Sequence, residues 1–64
     1  MRQHPLKTWR LARGLTLAQA GRKAGVTAEA WRLWECGKYP TFPHLRVLVK
    51  ITGLRVEELV AAAA

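Results

Sequence analysis

The chain has 64 residues, a formal charge of +7 and one cysteine, Cys36. A domain this short buries only about 60% of the surface its unfolded chain exposes, so its core is small. No second layer fits around a substrate cavity, which weighs against an enzyme. The lone cysteine excludes an internal disulfide framework. With only His4 and His44 beside it, no zinc site, metal or cofactor is expected.

Side-chain packing alone must hold such a fold, and helices achieve this with the most local contacts. Pro5 suits a first helical turn, and Leu6 and Trp9 follow at helical spacing. A first helix is predicted from about Pro5 to Arg13, with Gly14 as a left-handed cap. Thr16 and Gln19 form a capping-box pattern before a second helix, Leu17 to Ala24, which Gly25 ends. Gly21 inside that helix costs about 1 kcal/mol relative to Ala, so a backbone or a bulky side chain should come close there. After the apolar turn residue Val26, Thr27 caps a third helix, Ala28 to Cys36, and Gly37 stops it.

Lys38 to Pro43 reads as a loop. A fourth helix is predicted from about Pro43 to Thr52, with Leu45, Leu48, Val49 and Ile51 as its apolar set, and Gly53 as its cap. A short fifth helix, about Glu57 to Ala62, turns Leu59 and Val60 inward. No strand, repeat or linker is evident, so the chain reads as a single all-α, five-helix domain over residues 1–64.

The charge is unevenly placed. Residues 1–38 hold eight basic residues against two acids, a net +6, whereas residues 39–64 are nearly neutral at +1. Such a field attracts nucleic acid, an anionic membrane or an acidic protein. No run approaches the roughly 18 apolar residues of a membrane span. The N-terminal segment also lacks the apolar core of a signal peptide, so a cytoplasmic location is expected. The basic residues are spread over several capped helices, which argues against a helix lying on a membrane.

On a helical wheel Trp31, Trp34 and Glu35 share one side of the third helix, and Glu29, Arg32, Leu33 and Cys36 share the other. The two tryptophans are expected in the core, filling volume that Ala20 and Gly21 leave empty. Cys36 reads as a small residue near a helix end, and His44 as a surface residue of the fourth helix.

The segment Leu17 to Gly37, with Gly25-Val26-Thr27 at its turn and Glu35-Cys36-Gly37 at its close, resembles the lambda-repressor-like helix-turn-helix family. The likeness extends from Leu6, Trp9 and Arg10, through Gly14-Leu15-Thr16, to Leu45, Leu48, Gly53, Val56 and Leu59. It implies double-stranded DNA as the partner, read in the major groove by the third helix. The residues implied for base reading are Thr27, Ala28, Glu29, Arg32 and Leu33. Arg32 suits a guanine edge or a phosphate, Leu33 a thymine methyl, and Glu29 either a cytosine amino group or the exclusion of wrong partners.

The phosphate contacts implied by the resemblance are Arg10, Arg13, Leu17, Lys38 and Tyr39. It also implies a partly buried Arg10–Glu35 ion pair. A homodimer on a near-palindromic operator is implied as well, with Leu54, Arg55, Val56 and Glu58 at the dimer contact. Two features depart from the pattern. Leu17 stands where the family often has Gln, and the loop Tyr39-Pro40-Thr41-Phe42-Pro43 is not basic. They leave open a second function, a protein-interaction module such as an antitoxin or accessory regulator, with Leu17, Leu33 and Phe42 as its surface. No nucleophile–base pair, metal cluster or phosphate loop appears, and no small-molecule substrate is expected.

Overall fold

A computed structural model describes residues 3–63, with side chains to residue 62. Five helices follow in order: α1 Pro5–Ala12, α2 Leu17–Ala24, α3 Ala28–Glu35, α4 Phe42–Thr52 and α5 Val56–Ala63. No strand occurs among the described residues. The predicted boundaries shift by about one residue. Arg13 and Cys36 are C-caps rather than helical residues, α4 begins at Phe42, and α5 begins at Val56.

Local hydrogen bonds explain where the helices start. Thr16 Oγ1 accepts from the Gln19 amide at 3.1 Å while Gln19 Oε1 accepts from the Thr16 amide at 2.9 Å, closing the capping box. Thr27 Oγ1 accepts from the Ala30 amide at 3.1 Å. The cap of α1 is a histidine, whose Nδ1 accepts from the Leu6 amide at 3.1 Å. Thr41 precedes α4 without capping it. Its hydroxyl hydrogen-bonds His44 Nδ1 at 2.9 Å instead.

The core is formed by Leu6, Ala20, Ala24, Trp31, Trp34, Leu45, Leu48 and Leu59, drawn from all five helices. No polar or charged residue is fully buried among the described residues. Trp31 is wholly enclosed. Its ring meets Trp9 of α1 at a centroid distance of 5.9 Å and Trp34 at 5.8 Å, and Trp34 meets His44 of α4 at 5.3 Å. All three contacts are tilted, an arrangement that aromatic quadrupoles favour. This row of rings ties α3 to α1 on one side and to α4 on the other. His44 is therefore half-buried against Trp34, not a free surface residue. Within the predicted apolar sets Val49, Ile51 and Val60 are only half-buried, because they lie at the margins of the core.

At Gly21 a backbone does come close, as expected. A Cβ built there would lie 2.8 Å from the backbone oxygens of both Val26 and Thr27. The Val26 amide donates to the Gly21 carbonyl at 2.8 Å. The missing side chain makes room for the turn itself, so tryptophan volume is not what requires glycine. Gly25, at φ 75°, then turns the chain through a left-handed conformation that favours glycine.

Candidate nucleic-acid interface

The turn places α3 across α2 with its N-terminus capped and one face in solvent. On that face Thr27, Glu29, Arg32 and Cys36 are exposed, while Ala28 and Leu33 are half-buried. The tryptophans hold the opposite face. Leu33 therefore presents only part of its side chain to a ligand.

The two exposed charges of α3 are not independent. Arg32 Nε donates to Glu29 Oε1 at 2.6 Å, and Nη2 pairs with the same oxygen. Arg32 Nη1 lies 3.9 Å from Cys36 Sγ. The hydrogen bond to Glu29 and its negative charge hold the Arg32 guanidinium above its ordinary pKa.

A second cluster fixes the angle of α3. Glu35 Oε2 accepts from Arg10 Nε at 2.7 Å and from Trp31 Nε1 at 2.6 Å, and Oε1 accepts from Arg10 Nη2 at 3.3 Å. Arg10 Nη1 donates to the Leu15 carbonyl at 3.0 Å. The carboxylate thus joins α1 to α3, and the same guanidinium braces the link into α2. These contacts leave little of Arg10 for the phosphate contact expected of it. Its guanidinium is occupied on three nitrogens, and its side chain is only 12% exposed.

The remaining implied phosphate contacts divide. Lys38 and Tyr39 are exposed just past the end of α3. Arg13 is exposed with its guanidinium carbon 5.1 Å from the centre of the Trp9 ring, which leaves its edges open to an anion. Leu17 is half-buried against the core, and its apolar side chain offers no hydrogen bond. Only its backbone amide, at the N-terminus of α2, remains for a phosphate.

Sequence comparison adds one finding. A family model described as a helix-turn-helix domain matches residues 4–63. The chain belongs to that family. The match agrees with the likeness to phage repressors, and it makes DNA the partner that this domain supports. No curated protein and no solved structure was found to match the chain.

Within this helix-turn-helix domain the residues implied at a dimer contact also divide. Arg55, Val56 and Glu58 are exposed, but Leu54 is half-buried against the core. Leu54 thus offers only part of its side chain to a partner. Three features were not foreseen from the sequence. His4 is a helix cap, although histidine is not a usual one. Trp31 donates to Glu35, a contact that their spacing of four residues within a helix permits. An open cleft of about 700 Å³ lies beside His4, Glu35, Cys36, Glu58 and Ala61, but Glu35 is committed to Arg10 and Trp31. No described helix is long and apolar enough to cross a membrane.

Proposed function

We propose that the protein binds duplex DNA with sequence preference, as a transcriptional regulator of the repressor type, with α3 in the major groove. The observation that carries this reading is the solvent face of α3. It presents Thr27, Glu29 and Arg32 beside Lys38, on a rigidly braced helix, in the part of the chain that holds a net +6. Arg32 and Glu29 govern base choice, with Thr27, Ala28 and the exposed part of Leu33 completing the face. Arg13, Lys38, Tyr39 and the amides at the start of α2 and α3 hold phosphates.

The active form is a homodimer on a near-palindromic site, with half-sites about 34–36 Å apart. Arg55, Val56 and Glu58 are its contact residues. Selection of bound sequences from a random duplex pool tests the reading. Enrichment of a two-fold symmetric motif, bound with a steep salt dependence, supports it. A pool that shows no enriched motif rejects it.

One observation favours a second reading. Phe42 is 72% exposed and Tyr39 54% exposed, so the loop and the start of α4 present aromatic surface with little charge. A protein-interaction module would use this surface. It would bind its partner with little salt dependence and lose that binding on Phe42→Ala, with no DNA shift at low salt.

A further inference from the structure

The pairing of Glu29 with Arg32 bears on how this helix would read a base. Guanidinium offers five N–H donors in a fixed plane. Both donors on its side edge, Nε and Nη2, face a single oxygen of Glu29. One turn further along, Cys36 Sγ lies near Nη1. Glu29 is three residues before Arg32 and Cys36 four after it, so all three form one stripe along the exposed face. The arginine is held on the helix rather than free to sweep around it.

The end edge, one N–H from Nη1 and one from Nη2 side by side, faces no carboxylate, and the weak 3.9 Å contact of Nη1 with Cys36 Sγ is one that a base acceptor can displace. Such a parallel pair matches the O6 and N7 acceptors of guanine in the major groove. The pair is not there to hold the fold. Its side chains are 49% and 63% exposed, where an ion pair contributes little to stability. Charge supplies the second half of the argument. An unpaired arginine is drawn to every phosphate alike, which strengthens binding to all sequences equally. Beside Glu29 the couple carries no net charge, and the carboxylate disfavours close phosphate. Base-edge hydrogen bonding from the open edge is kept.

We propose that Glu29 is a positioning residue: it holds Arg32 end-on for a guanine edge and withholds it from phosphate. This rests on the reading that α3 enters the major groove. Glu29 then raises specificity by weakening non-specific binding, and it need not touch a base.

The test measures binding to selected and random duplexes across a salt series for the wild type, Glu29→Gln, Arg32→Ala and the double variant. Both residues are exposed, and thermal melts of the variants confirm folding. Glu29→Gln is expected to tighten binding to random duplex and to steepen the salt slope by about 0.9, the value for one added phosphate contact. It should lower the ratio of specific to non-specific affinity on the order of tenfold. In the Arg32→Ala background, Glu29→Gln should no longer alter base preference.

A shift in base preference that persists in that background overturns the proposal, because Glu29 would then read a base itself. An unchanged specificity ratio in Glu29→Gln also overturns it, while leaving α3 as the reading helix. A wild-type protein that enriches no motif removes both this proposal and the reading beneath it.

Discussion

Arg10 Nε and Glu35 Oε2 lie 2.7 Å apart, on side chains only 12% and 7% exposed, although 25 residues separate them in the chain. Desolvation of two charges opposes such a pair, but the hydrogen bonds from Trp31 to Glu35 and from Arg10 to the Leu15 carbonyl give both charges further partners. Removing one charge leaves the other buried without a counterion, which costs roughly 3–5 kcal/mol. Glu35→Gln is expected to lose about 3 kcal/mol in urea unfolding, toward the lower end because the amide oxygen still accepts one bond. A loss under about 1 kcal/mol would place the pair among ordinary surface ion pairs.

The contact of Trp31 with Glu35 can be separated from its packing. Trp31→Phe keeps an aromatic ring in the core but deletes the indole N–H, and a hydrogen bond to a charged group is worth about 1.5–3 kcal/mol. Lost ring volume adds to that. Trp31→Ala should cost more, about 3–5 kcal/mol, since Trp31 is fully buried. In the wild type, tryptophan emission is expected at short wavelength and should move to longer wavelength as the protein unfolds. Solvent-like emission from the folded protein would contradict the enclosed positions of Trp31 and Trp34.

Gly21→Ala sets two effects of opposite sign against each other. Alanine gains up to about 1 kcal/mol in helix propensity. Its Cβ would lie 2.8 Å from two backbone oxygens, which cannot swing aside as a flexible side chain would. Overpacking of this kind costs about 1–3 kcal/mol, so a net destabilisation is expected. It should be accompanied by weaker DNA binding, because the turn that aims α3 must shift. Thermal melts showing a stabilised Gly21→Ala variant would refute this account of the turn.

His4 makes stability depend on pH. Burial pushes its pKa below the ordinary value of 6.5, and the negative charge of Glu35 opposes that shift less strongly. The folded protein therefore binds fewer protons at His4 than the unfolded chain. The resulting stabilisation is fully present above pH 6.5 and is lost as pH falls through the lowered folded pKa. Protonation also removes the Nδ1 acceptor that caps α1. His4→Asn keeps a capping side chain that does not titrate. It should flatten this part of the stability–pH profile. A profile unchanged by that substitution would show that His4 is not its source.

Most of the helical framework was legible in the sequence because its signals are local. Thr16 with Gln19, Thr27, and the glycines after the first four helices act within a few residues, so the elements and their order follow from spacing. The exposed face of α3 was also legible, since the tryptophans mark the opposite side of the wheel. Boundaries moved by a residue where no side-chain cap marks the helix end, as at Phe42, which follows the non-capping Thr41. His44 was misread because its partner, Trp34, lies on another helix.

The sequence by itself determined five helices, the turn at Gly25-Val26-Thr27, the concentration of positive charge and the membership of α3's face. Tertiary structure decided which charges that face can use. Arg10 is drawn into the fold by Glu35, and Leu17 and Leu54 pack against the core, whereas the Glu29–Arg32 pair, three residues apart in α3, is a local contact that spacing permits. The physical reason is that hydrophobic period and capping depend on neighbours within about one helical turn. An ion pair or a buried flank depends on how helices cross, and on which rotamer each side chain adopts once they do.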